Sequence, residues 1–176
     1  MEIIRAGEEH VADIAALAKR RSLEQVDVET ACRDGFLVSG YEEDVYRARL
    51  TNAEHFHVAV EEGELAGFVL AYSNARCGPQ EWLNHRIAAD LGDILVIKQV
   101  AVTRQAARRG VGSQLYTYVL DRSPTVPVIA AVVAEPANQA SAAFHRKHGF
   151  TILTTLTPPD GRPRDVWVRG TGGGTR

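Results

Sequence analysis

The chain has 176 residues, 45% hydrophobic and 24% charged, the composition of a water-soluble globular protein with enough mass for one self-sufficient core. A net charge of −2 excludes a general nucleic-acid binder, and two cysteines, Cys32 and Cys77, exclude a disulfide framework or a cysteine-held metal cluster. No apolar run approaches ~18 residues, which excludes a membrane span, and the acidic start lacks the plan of a signal peptide, so a reducing, cytoplasmic setting is expected.

Glu2 to Arg5 reads as a strand, and Val11, Ile14, Ala15 and Ala18 recur at helical spacing within a helix over 8–21. The stretch 22–40, broken by Gly35 and Gly40, fits neither period. Tyr41 to Leu50 is expected to be helical, with Glu42 and Glu43 in its first turn and Arg47 and Arg49 in its last, matching the helix dipole. His55 to Val60 and Leu65 to Tyr72 read as a hairpin across the turn 61–64. The connection 73–92, with Gly78-Pro79, Trp82 and His85, is long enough to be functional or partly structured. Asp93 to Val102 is a strand, 111–121 a helix, Val126 to Ala134 a strand apolar enough to be buried on both faces, and 138–148 a helix ended by Gly149. Phe150 to Leu156 and Asp165 to Arg169 close the fold around Pro158-Pro-Asp-Gly161. The expectation is one domain over 1–169, with 170–176 a flexible glycine-rich tail that has nothing to bury. The order predicts an α/β fold with a mixed, mostly antiparallel sheet flanked by helices, its middle strands following one another without helices between them.

The most informative segment runs from Ile97 to Leu120. A strand ends at Val102, a basic turn with Arg104, Arg108 and Arg109 follows, and Gly110 and Gly112 open an amphipathic helix. Unpaired N–H groups and the positive dipole end at a helix start make a ready anion site, most often for phosphate. This turn sits in a longer pattern. Val100-Ala-Val102, then Arg108-Arg109-Gly110-Val111-Gly112-Ser113-x-Leu115, then Asn138-x-x-Ser141-x-x-Phe144-His145-x-Lys147-x-Gly149-Phe150, resembles the GNAT superfamily of acyl-CoA-dependent N-acyltransferases.

The resemblance implies acetyl-CoA as donor and no metal. It implies that the pyrophosphate lies on the backbone of Ala107, Arg108, Arg109, Gly110, Val111, Gly112 and Ser113. The pantetheine arm would pair along Val100, Ala101 and Val102, in a slot made because that strand is splayed from the next one, here 126–134. Asn138 and Phe144 would line the cofactor's other side. Two departures stand out. Ala107 occupies a position where the family usually has Gln or Arg, and His145 one where many members have the tyrosine that protonates the departing thiolate. Family members are often homodimers, so the resemblance implies that assembly by analogy alone.

Acyl transfer to an amine requires a neutral amine, a stabilised oxyanion and a departing thiolate. His145 is a candidate acid, since imidazole titrates near neutrality, or else a solvated helix residue. The base is open. Family members often carry an acid near position 98, where this chain has Lys98. Glu135, at the end of the following strand, is the named candidate, with Asp93, Glu81 and His85 behind it. Arg108 and Arg109 read either as phosphate contacts or as a solvated turn, Asn138 also as a helix cap, and Trp82 as either an acceptor wall or a loop anchor. His10, His55, His57 and His148 lack metal-ligand spacing. The function expected is N-acetyl transfer from acetyl-CoA to a primary amine of a small molecule or peptide, by direct attack in a ternary complex. The alternatives are a non-catalytic acyl-CoA-binding sensor and an unrelated nucleotide-binding α/β domain. Loops around 22–40, 73–92 and 157–164 would set the acceptor.

Overall fold

A computed structural model describes residues 1–170; residues 171–176 of the expected tail lie outside the described residues. Seven strands form one sheet: β1 (Glu2–Arg5), β2 (His55–Glu61), β3 (Glu64–Ser73), β4 (Leu95–Val102), β5 (Val128–Val133), β6 (Thr151–Leu156) and β7 (Arg164–Arg169). Their order is β1-β2-β3-β4-β5-β7-β6, antiparallel throughout except for the parallel pair β4–β5. The helices are α1 (Val11–Arg20), α2 (Val28–Asp34), α3 (Glu43–Asn52), α4 (Trp82–Leu91), α5 (Val111–Asp121) and α6 (Gln139–Lys147).

Burial explains the layering. On one face of the sheet, Val111, Leu115, Val119 and Leu120 of α5 pack on Ala59, Val69, Ala71, Leu95 and Ile97. On the other, Ile14 and Leu17 of α1 and Tyr46 of α3 pack on Phe56, Phe68, Leu70 and Tyr72, while Leu83 and Ile87 of α4 cover Ile94, Val96, Ile129 and Val166. No helix among the described residues is long and apolar enough to cross a membrane.

Two helices correct the expected order. The unclassified stretch 22–40 contains α2, started by Asp27, whose carboxylate accepts from the Thr30 N–H at 2.7 Å. Seven residues with no buried apolar side chain carry no apolar stripe, so periodicity is silent there. The connection 73–92 contains α4, so β3 and β4 do not follow one another directly; its apolar face rests on Leu83 and Ile87 alone, too short a row to mark a helix.

The feature that positions the site is in β4. Leu70 pairs with Gln99 and Ala71 with Ile97, so Lys98 is an extra, bulged residue. Before the bulge Leu95 and Ile97 face α5; after it, Ala101 faces the α1–α3 side, as does Gln99, which accepts from the Tyr46 hydroxyl at 2.7 Å. A bulge bends its strand and increases local twist. Accordingly β4 pairs with β5 only at Leu95–Val128 and Val96–Ile129, and the two strands then part. The splay leaves Ala131 exposed in a strand otherwise buried, which the apolar run did not anticipate.

The segment after α2 crosses this gap. Gly35 turns the chain at φ 74°, ψ −178°, a region open essentially to glycine alone. Leu37 bonds to both Arg21 and Leu23 through its backbone at 2.8 Å. The Asn138 amide donates to the Phe36 carbonyl at 2.9 Å, and the Gln99 amide to the Ser39 carbonyl at 3.0 Å.

Candidate active site

Two clefts flank the splayed strands. The first, about 350 Å³, lies between the start of α5, the end of β4, α2 and α6. Gly110 caps α5 with left-handed backbone, φ 85°, and no side chain caps the helix. Its opening N–H groups at Val111, Gly112 and Ser113 therefore point out of the helix without intrahelical partners, the first such bond being from Gln114 to Gly110 at 3.0 Å. Arg108, a non-glycine residue at φ 62°, completes the turn. A Cβ on Gly112 would sit 3.5 Å from Val102 Cγ2 and 3.7 Å from Phe144, inside the cleft.

Val100, Ala101, Val102, Ala107, Arg108, Gly110, Val111, Gly112, Ser113 and Phe144 all line this cleft. Arg109 is not brought to it. Its guanidinium forms two 2.8 Å bonds with Glu61 across the hairpin turn, on the other side of the loop. Beside Arg108, the charge comes from Arg21 at the end of α1 and Arg33 at the end of α2, which sequence reading missed, and from Lys147 at the end of α6. Basic residues in last helical turns are what the dipole favours anyway, so nothing in the sequence marked Arg21 and Arg33, and Lys147 stood in the motif without a role. Asp34 sits among them, 2.9 Å from Arg33 and 3.8 Å from Arg21, and Arg33 holds its carboxyl below the usual range.

The second cleft, about 400 Å³, opens on the α3–α4 side of the splay. It is lined by Tyr41, Trp82, Pro158 and Pro159 and by the polar side chains of Lys98, Glu81, Asn138 and His145. Phe36, Leu37, Val100 and Ser141 line both clefts, so the two adjoin at the gap between β4 and β5. Asn138 has both ends of its amide engaged: it accepts from the Ser141 N–H at 3.2 Å as the cap of α6, and donates to Phe36. Glu135 is exposed and lines neither cleft.

His145 is 3% exposed. Its Nδ1 lies 2.7 Å from the Ser141 carbonyl, which can only accept, so Nδ1 carries the hydrogen. Nε2, 2.8 Å from the Tyr116 hydroxyl, must then accept, and Tyr116 donates. Tyr116, packed in the core beneath α5, is thus also part of the cleft wall. Burial pushes the imidazole down to about 4, so His145 is neutral at physiological pH. His57, buried beneath Tyr118, is likewise pushed down to about 4 by burial.

Both histidines make the fold acid-sensitive. In the unfolded chain they take up protons below about 6.5, whereas the folded chain resists until about 4. Stability is therefore lost as pH falls through that window, each group withdrawing on the order of 3 kcal/mol. Thermal melts from pH 7 to 4 should show this fall, and His145→Gln should remove about half of it; an unchanged slope would contradict the neutral assignment.

Glu81, at the start of α4, is the most heavily bonded carboxylate in the second cleft. It lies 3.0 Å from Lys98 Nζ and 3.2 Å from Arg49, and accepts from Tyr72 at 3.1 Å, Gly78 N–H at 2.9 Å and Asn84 at 2.8 Å. Burial raises its pKa, but Lys98 and these donors outweigh burial and hold it below the ordinary carboxylate range. Among the described residues no three metal-ligating side chains converge.

Solved structures with this fold include Ard1 from Thermoplasma volcanium, 19% identical with a TM-score of 0.70, 98% of each chain being covered. The ribosomal-protein-S18-alanine N-acetyltransferase from Escherichia coli is 14% identical with a TM-score of 0.65, covering 99% of this chain and 96% of that one. Arabidopsis thaliana Naa50, solved with a bisubstrate analogue CoA-Ac-MVNAL, is 15% identical with a TM-score of 0.66, covering 96% and 97%. No curated protein sequence matches the chain significantly. The family model for the acetyltransferase (GNAT) family, however, matches residues 23–150. The chain spans nearly the full length of these structures and carries the splayed strands and open helix start within the matched region, and it belongs to the GNAT acetyltransferase family.

Proposed function

We propose that this N-acetyltransferase binds acetyl-CoA in the first cleft and transfers the acetyl group to a primary amine held in the second, by direct attack with both substrates bound. The observation that carries the reading is the junction of the two clefts at the β4–β5 gap, where Phe36, Leu37, Val100 and Ser141 are shared walls. One side offers open helix N–H groups with Arg108, Arg21, Arg33 and Lys147, a fit for the pyrophosphate of CoA. Beyond Val96 the edge of β4 facing β5 pairs with no strand among the described residues, which suits an extended arm lying along Val100 to Val102. Bound acetyl-CoA would supply an activated thioester carbonyl. The chain's own residues bind it, keep the gap open through the Lys98 bulge, and shield the acceptor with Trp82, Tyr41 and the Pro158–Pro159 loop.

The acceptor is an amine of a small molecule or a peptide. Cys32 is exposed and Cys77 lines neither cleft, consistent with transfer that needs no cysteine nucleophile. The test is thiol release from acetyl-CoA over an amine panel, paired with thermal shift by CoA and by ATP. Stabilisation by CoA with amine-dependent release is expected. Stabilisation by ATP alone would contradict the reading, and CoA binding with no release on any amine would leave a sensor in its place.

A further inference from the structure

The four residues that wall both clefts are not alike. Leu37 leans on the α1–α3 core and Val100 on the α5 core. Ser141 is small, with its hydroxyl 3.4 Å from His145 Nδ1. Phe36 is half-buried and joins none of the hydrophobic cores among the described residues. Leu37 forms a β-bridge with Ser22, and successive side chains of an extended segment point to opposite sides, so Phe36 faces away from the α1–α3 core. The backbone beneath its ring is fixed at three consecutive residues. Gly35 is buried, and a Cβ on it would meet Asn138 Oδ1 at 3.0 Å. The Phe36 carbonyl accepts from the Asn138 amide at 2.9 Å. Leu37 donates to the Arg21 carbonyl and accepts from the Leu23 N–H, each at 2.8 Å. An aromatic ring with no core to fill is thus held rigidly at the junction of the clefts.

Resting on the transferase reading above, we infer that Phe36 is the wall that limits the donor's acyl group, so that the length of chain transferred is set by this one residue of the segment crossing the gap. The thioester comes from the first cleft and the amine from the second, so the acyl group has to lie where the two adjoin. Carbons beyond the carbonyl then share the space bounded by Phe36, Val100 and Ser141. Each further methylene has to displace either the ring or the acceptor amine. Moving the ring means breaking the backbone bonds of Phe36 and Leu37, so the wall does not yield as a loose side chain would. In an apolar pocket one methylene more is discriminated by about 10–200-fold.

The test compares kcat/KM for acetyl-CoA, propionyl-CoA and butyryl-CoA in the full chain, using whichever amine releases thiol fastest in the panel above. Each added methylene should lower kcat/KM by about 10-fold or more in the wild-type chain. Phe36→Ala should bring acetyl-CoA and butyryl-CoA within about 3-fold of each other, and Phe36→Leu should fall between. Thermal stabilisation by CoA checks that each variant is folded with its first cleft intact. A general structural loss would lower all three donors alike and leave their ratio unmoved. An unmoved ratio in Phe36→Ala, or wild-type chain using butyryl-CoA as well as acetyl-CoA, overturns the inference while leaving acyl transfer intact. No thiol release from any of the three donors overturns the transferase reading and this inference with it.

Discussion

Gly112→Val is expected to weaken CoA binding by ~100-fold or more while moving Tm by no more than about 2 °C. Gly112 is the second residue of α5, with helical backbone, so valine is tolerated there conformationally and differs from glycine in helix propensity by only about 0.5 kcal/mol. Its side chain, however, would project between Val102 and Phe144, into the floor of the first cleft. Phosphate oxygens would then be held off the N–H groups of Val111 to Ser113. Losing two charge-assisted bonds at about 1.5–3 kcal/mol each gives the affinity loss. Calorimetric titration with CoA beside differential scanning calorimetry separates the two effects. Parallel losses of binding and stability would show the glycine to be needed for packing alone.

Glu81→Ala carries the largest expected stability effect. Removing this carboxylate strands Arg49 and Lys98, whose side chains are 14% and 20% exposed, and leaves Tyr72, Asn84 and the Gly78 N–H without their acceptor. Breaking a buried pair from one side costs about 3–5 kcal/mol, so Tm should fall by roughly 10 °C. The sign of the pH dependence follows from the lowered pKa: Glu81 stabilises the fold above the ordinary carboxylate range, and that contribution fades as pH drops through its lower folded value. Adding Lys98→Met to Glu81→Ala should recover part of the loss, because one orphaned cation is removed as well. A melting temperature within about 2 °C of wild type would mean that the network is solvated rather than structural.

The fold was legible where local pattern and tertiary burial agree. The start of α5 could be read because Gly110 turns the chain and Val111, Leu115 and Val119 then form the row that the sheet buries. α2 could not, because it buries no apolar side chain and is held by its cap and by contacts with α6. The open helix start was legible for the same reason as α5, since backbone N–H groups at a glycine-bearing helix start need no distant partner. Of the cations beside it, only Arg108 was read for that role. Arg21, Arg33 and Lys147 reach the cleft from the ends of three helices, and Arg109, adjacent to the turn, is taken away by Glu61 from a hairpin 48 residues earlier. His145 shows the same limit. Its place in the motif was plain, but its protonation is decided by burial and by Tyr116, 29 residues away. Glu81 had little to mark it, because its weight comes from Arg49, Tyr72 and Lys98, which the sheet alone brings together.

The arrangement of two clefts joined at the β4–β5 gap is tested most directly by a crystal structure with CoA bound. The expected result places the pyrophosphate on the N–H groups of Val111, Gly112 and Ser113, the pantetheine arm beside Val100 to Val102, and the thiol opening toward Lys98 and Trp82. CoA held away from the start of α5, or a thiol that does not reach the second cleft, would contradict it.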